Sequence, residues 1–213
     1  KAIAAPDENV QMVLADMRAA VARADEIVKG LLEFSAPREL VLSSEDINAI
    51  IEQSVRMVNY DLTDNRIELV RELAANLPTL RLDKTKMEQV FINLFMNAIH
   101  AMSNGGTLTV RTQVRWLQRG EIDHSGEEQE ADPYRTGQMV LAAEVDDTGH
   151  GIPEEKLVKI FDPFFTTKPV GKGTGLGLTV VKKIVEMNGA MIDIRNRPEG
   201  GVRVSILFKP GGK

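Results

Sequence analysis

Two kinds of hydrophobic spacing divide the chain. Between residues 8 and 35, Val10, Leu14, Met17, Val21, Ala24, Val28 and Leu31 recur at alternating steps of four and three, interrupted by no proline and by one glycine, Gly30. That is a heptad seam: one narrow apolar stripe on a helix of roughly 40 Å, which needs a partner helix to cover it. A coiled-coil or four-helix-bundle dimer is expected, the alternative being a long helix packed on its own domain. Pro37 ends the helix, because proline has no amide hydrogen for the ladder. It separates a helical segment, 1–37, from a globular one, 38–213.

The second segment mixes two periods. Residues 40–43 read as a short strand, and Asp46 can cap a helix carrying Ile47, Ile50, Ile51, Val55 and Val58 at helical spacing. Residues 67–73 and 79–82 alternate like strands of a half-buried sheet. Asp83 then caps a helix whose buried face includes Met87, Val90, Phe91, Leu94 and Phe95, ended by Asn104, Gly105 and Gly106. Strands over 107–114 and 139–145 follow, separated by a stretch rich in Glu, Asp and Gly, 118–138, which reads as a surface insertion. A last helix from about 174 to 187 and strands over 191–196 and 202–208 complete the pattern. Helices and strands without strict alternation point to an α+β fold, a two-layer sandwich with helices over one face of a sheet.

Composition narrows the classes. The 213 residues, 43% hydrophobic and 27% charged, suffice for one full core and a smaller appendage. A formal charge of −5 offers no general positive field for a nucleic-acid backbone, and none is expected as a partner. The absence of cysteine removes disulfides, thiolate metal sites and cysteine nucleophiles. No apolar run approaches the roughly 18 residues of a bilayer span, so the segment reads as soluble and cytoplasmic, without membrane contact of its own.

Three polar constellations interrupt the apolar pattern. In the first, Asn93, Asn97, His100 and Ala101 fall on adjacent turns of one helix face. Two carboxamides beside an imidazole on an otherwise apolar helix are either satisfied core or cap groups, or they face a polar ligand or the waters of a metal. The second is Asp147-Thr148-Gly149-His150-Gly151-Ile152-Pro153, directly after an apolar strand. Its glycines let the backbone approach a flat ligand, and a carboxylate at a strand end can accept from an exocyclic amine; the same pattern also makes ordinary tight turns. The third is Gly171-Lys172-Gly173-Thr174-Gly175-Leu176-Gly177-Leu178, running into a helix. Glycine amides and a helix N-terminus suit phosphate oxygens, a flexible linker being the alternative. It is neither a Walker loop nor a dinucleotide fingerprint. Between the last two lies a lid-like segment, 154–173, with Phe161, Phe164 and Phe165, whose Lys168, together with Lys172, can neutralise phosphate charge.

In this order and spacing, the four segments resemble the N, G1, F and G2 boxes of the histidine-kinase ATPase domain, within the gyrase, Hsp90, histidine kinase and MutL superfamily and its Bergerat-type fold. The run Pro163-Phe164-Phe165-Thr166-Thr167-Lys168 is especially similar to sensor kinases of the nitrogen-regulatory class. The resemblance implies ATP and Mg²⁺ as cofactors: Asn97 on the metal, His100 near the phosphates, Asp147 on the adenine amine, and Gly173, Gly175 and Gly177 along the triphosphate. It also implies that Asn93 stands where ATP-hydrolysing relatives carry a glutamate that activates water. A carboxamide is no general base, which favours transfer to a protein side chain over hydrolysis.

The heptad helix resembles the second helix of the kinase dimerisation and phosphoacceptor hairpin. Of the three histidines, His100, His124 and His150, none lies in a phosphoacceptor context, so the acceptor is expected upstream, on the missing first helix. The implied function is that of a two-component protein-histidine kinase, acting on its own phosphoacceptor hairpin, dimeric in the full protein, with a response-regulator receiver domain downstream. The rivals are an ATP-hydrolysing module of the same fold and a degenerate, non-catalytic nucleotide-binding module. Val202, where the family often has threonine, is expected to replace a direct contact near adenine by water.

Overall fold

The computed structural model describes residues 10–15, 17–18, 20–21, 24–25, 28, 39–117, 134, 137–168 and 173–210. Between 10 and 28 the described residues are helical, with Val10, Leu14, Met17, Val21 and Val28 exposed. Leu31, Gly30 and Pro37 lie outside the described residues.

The globular part begins with β1 (Ser43–Glu45), α1 (Ile47–Asp64), β2 (Ile67–Leu73), β3 (Leu80–Leu82) and α2 (Lys84–Ala101). It continues with β4 (Gly106–Trp116), β5 (Met139–Asp146), α3 (Glu154–Leu157), α4 (Gly177–Met187), β6 (Met191–Asn196) and β7 (Val202–Phe208). Five strands form one mixed sheet in the order β2-β4-β5-β7-β6, in which only β2 and β4 run parallel. A parallel pair needs a crossover, and α2 lies on that crossover. Both helix starts are set by aspartates: Asp46 accepts from the Asn48 amide at 2.9 Å and Asp83 from the Lys86 amide at 3.1 Å. The α+β sandwich with one helix-covered face is therefore present, and its core is made by Ile47, Ile50, Ile51, Phe91, Phe95 and Ile99 against Leu108, Leu141, Val145, Ile206 and Phe208.

Three expectations need correction. The first strand is not at 40–43: the Val41 amide is drawn to the second carboxylate oxygen of Asp83 at 3.0 Å, and pairing starts only at Ser43, opposite Leu82. β1 and β3 then form a separate two-stranded sheet instead of joining the main one. The last helix starts at Gly177, not near 174, because Gly175 is left-handed (φ +68°) and Leu176 takes the cap position.

The insertion is also more than a solvated stretch. Most of 118–138 lies outside the described residues, but Tyr134 is buried on the sheet face opposite the helices, with Leu117, Val140, Ala142 and Leu207. Its hydroxyl lies 2.8 Å from the carbonyl of Leu207 and 2.9 Å from that of Gly189.

The topology fixes where a site can form. β4 begins just after α2 ends and runs antiparallel to β5, so the start of β4 lies beside the end of β5, with Thr109 opposite Asp146. β7 is antiparallel to β5 as well, which brings Arg203 beside Asp146. The C-terminus of α2, the loop after β5 and the β6–β7 turn thus converge at one end of the sheet.

Candidate functional site

The loop after β5 carries Asp147, buried to 6% exposure. Its amide donates to the Val202 carbonyl at 2.9 Å, which extends the β5–β7 ladder by one residue. One carboxylate oxygen, Oδ1, accepts from the amides of Gly149 at 2.8 Å and Val202 at 3.3 Å. Among the described residues no donor is assigned to Oδ2, so half of a buried carboxylate is available to a ligand. Burial pushes the carboxyl above its ordinary range, opposed by those two amides and by the charges of Arg197 and His150.

Glycines here are dictated by close approach. A side chain at Gly149 would meet the Ala101 carbonyl at 2.7 Å and the Ala101 Cβ at 2.8 Å, so the loop lies directly on the end of α2. Gly151 is left-handed (φ +73°), and its Cβ would stand 3.1 Å from Asn196 Oδ1. Next to it, the Ile152 amide and carbonyl are both bound to the Asn196 carboxamide, at 2.8 and 2.6 Å, and the Ile152 side chain packs on the core. Thr148 ties the loop to the start of β4, its Oγ1 accepting from the Thr107 amide at 2.9 Å.

On α2 the two-faced pattern is realised. Met87, Val90, Phe91, Leu94, Phe95, Ala98 and Ile99 are buried, while Asn93 and Asn97 are half-buried and His100 is exposed on the other side. The lid reaches this face: Lys168 Nζ lies 3.0 Å from His100 Nδ1 and 3.4 Å from Asn97 Oδ1. Asn93 has no protein hydrogen-bond partner assigned among the described residues, so the reading of both asparagines as satisfied core groups does not apply to it.

The glycine-rich segment closes the third side. Gly173 backs onto Thr166 and Lys168, a Cβ there meeting Thr166 Oγ1 at 2.7 Å. Gly175 lies against the backbone of Phe164, too close for any side chain, and Phe164 itself is left-handed (φ +66°). The Leu176 amide donates to Thr174 Oγ1 at 3.4 Å, Leu176 is buried and Leu178 packs on the core, so these three shape the segment from behind. Gly177 opens α4, with nothing near its Cβ position. Thr179 fastens α4 to the lid through a 3.0 Å hydrogen bond to the Phe161 carbonyl. Lys172 and Gly171 lie outside the described residues.

Asn97, His100, Ala101, Asp147, Gly149 and Lys168 are thus brought together by three separate elements. Sequence reasoning missed Asn196, Arg197 and Gly201. Arg197 donates to the Asp147 carbonyl at 2.8 Å, and Gly201 lies so close to that carbonyl that only glycine fits. The available signal was weak: a polar pair and two glycines after an apolar strand.

These residues suit a purine nucleotide. A buried carboxylate oxygen matches an exocyclic amine, glycine backbone suits a flat ring, and Lys168, His100 and the α4 N-terminus suit phosphates. For a metal, the described residues hold no cluster of three His, Asp or Glu side chains. A carboxamide oxygen on Asn97 fits the other mode, in which Mg²⁺ takes most of its oxygens from phosphate and water.

Comparison with known proteins places the chain in a family. The model of the histidine kinase-, DNA gyrase B- and HSP90-like ATPase family matches residues 82–212. The sensor histidine kinase ZraS of Salmonella typhi is 34% identical over 188 residues, which is 88% of this chain and 35% of that protein. The chain spans about a third of the length of the first curated relatives it matches. Among solved structures, the catalytic domain of histidine kinase ThkA superposes with a TM-score of 0.62 at 28% identity, covering 80% of this chain and 99% of that domain. ThkA in complex with the response regulator protein TrrA gives a TM-score of 0.71 at 26% identity, over 97% of this chain and 53% of ThkA.

Proposed function

The chain belongs to the histidine kinase-, DNA gyrase B- and HSP90-like ATPase family, and on that premise we propose that its site binds Mg-ATP for transfer of the γ-phosphoryl group to a protein histidine. The observation that carries this reading is that the loop of Asp147, whose Oδ2 is left available, lies on Ala101 at the end of α2, beside the Asn97 and His100 that Lys168 reaches.

In this reading Asp147 accepts from the adenine amine, and Gly149, Gly151 and Ile152 form the wall against the ring. The amides of Gly173, Thr174, Gly175 and Gly177 face the triphosphate, with Lys168 and Lys172 balancing its charge. Asn97 holds Mg²⁺, and His100 and Asn93 orient phosphate oxygens. A bound Mg²⁺ would neutralise charge that builds up on the phosphates during transfer. The site supplies no carboxylate at Asn93 to draw a proton from water, so ATP is kept for an acceptor. None of the three histidines is placed as that acceptor: His100 and His150 belong to the site and His124 to the insertion. The acceptor therefore lies in another segment of the protein, on a hairpin that the exposed seam of Val10, Leu14, Met17 and Val21 would help to build in a homodimer. A response-regulator receiver domain is the expected next partner, as in the complex of ThkA with TrrA. The cytoplasm, where ATP and receiver domains meet, is the expected compartment.

Titration calorimetry with ATP and ADP, with and without Mg²⁺, tests the site. Asp147→Asn should weaken both nucleotides about ten- to a hundredfold, the value of a hydrogen bond to a charged acceptor. Asn97→Ala should leave metal-free binding intact while abolishing its enhancement by Mg²⁺. Unchanged titrations in both variants would sink the assignment.

A further inference from the structure

We propose that Asn196 and Arg197, consecutive residues at the end of β6, are positioning residues that clamp the loop 147–152 at both ends and so set its preference for adenine. The proposal rests on the reading of Asp147 as the partner of the adenine amine.

The loop holds itself weakly. Within it, the only backbone-to-side-chain hydrogen bond shaping the Asp147 carboxylate is the one from Gly149, and two of its six positions are glycine. Thr148 ties its middle to β4 and Gly149 rests on the end of α2, while its two ends are held by the neighbouring hairpin. Arg197 Nη1 donates to the Asp147 carbonyl at 2.8 Å, at the loop's start. Asn196 takes the other end, accepting from the Ile152 amide at 2.8 Å and donating to the Ile152 carbonyl at 2.6 Å. A carboxamide is suited to this, because it presents one acceptor and two donors in a plane and so pairs with both backbone groups of one residue as a strand edge would. Aspartate keeps the acceptor only, and leucine keeps neither.

The clamp is itself anchored. The β6–β7 turn is closed by the Arg197 amide on the Gly201 carbonyl and the Gly200 amide on the Arg197 carbonyl, both at 3.0 Å. On the opposite sheet face, Asp146 is gripped by Arg203 at 2.8 and 2.6 Å, and Arg197 Nε stands 3.9 Å from the same carboxylate. Arg197 thus reaches both Asp146 and the backbone of Asp147. Asn196 is exposed, so water competes for its two hydrogen bonds and its contribution to global stability is small. Its consequence is local: it decides whether Gly151 and Ile152 stay in the conformation that faces the ring.

The test measures ADP and GDP affinities of the 213-residue chain alongside its urea stability. Guanine presents an oxygen where adenine has the amine, so the intact loop should favour ADP. Asn196→Leu and Arg197→Met should each weaken ADP about tenfold and flatten the ADP-over-GDP preference, with the urea midpoint unchanged in Asn196→Leu, and Asn196→Asp should fall between wild type and Asn196→Leu. Equal loss of ADP and GDP, or ADP binding unaffected by both variants, overturns the clamp. Asp147→Asn is measured in parallel. If it weakens ADP while the β6 variants do not, the clamp fails and the adenine reading stands. If Asp147→Asn changes nothing, both fail.

Discussion

At the residue scale, Asp147 concentrates the physical argument. Burial costs its ionised form more than the amides of Gly149 and Val202 and the nearby Arg197 and His150 return, and its carboxyl is raised accordingly. An acid whose folded pKa exceeds its unfolded one binds more protons when folded, so stability falls as pH rises from the ordinary carboxylate range through the raised value. Urea unfolding of wild type and Asp147→Asn should therefore show a gap that shifts in favour of the variant as pH rises from the ordinary carboxylate range through the raised value. A gap independent of pH would contradict the assignment. Saturating ADP should reduce the shift, because an amine donating to Oδ2 favours the carboxylate.

At the scale of elements, α2 serves the core with one face and the site with the other. Phe91 and Phe95 are fully buried with ring centroids 6.0 Å apart, so Phe91→Ala should lower unfolding free energy by about 3–5 kcal/mol, read by urea denaturation. Gly175→Ala tests the other boundary of the site. It places a Cβ against the Phe164 backbone at a left-handed position, and it should weaken ATP binding while leaving the Phe91 core, and hence the main unfolding transition, largely intact. Much of this element was legible: apolar spacing gave the buried face of α2, and Asp83 gave its start. β2 was legible to the residue from its alternating side chains, and the bounds expected for β6 and β7 also match. What escaped was tertiary. Nothing local shows that Asp83 draws Val41 out of a strand, that Gly175 delays α4, or that Tyr134 leaves a polar stretch to lie on the sheet. Asn196 and Arg197 stayed hidden because their partners lie about fifty residues away, at Asp147 and Ile152.

At the scale of the molecule, the site is assembled where one helix ends, one strand ends and one hairpin turns, and each side brings a different chemistry to the nucleotide. No helix of the described residues is long and apolar enough to cross a membrane. On the proposed reading, Asn93 offers no carboxylate to activate water, which favours transfer over hydrolysis. Incubation with Mg²⁺ and γ-labelled ATP, together with a separately supplied histidine-bearing hairpin of the parent protein, tests that most directly. The account predicts acid-labile label on the hairpin and little free phosphate, with the labelling at subsaturating ATP reduced in Asp147→Asn in step with its weaker ATP binding. Sustained release of free phosphate without the hairpin, and no label on it when present, would contradict it.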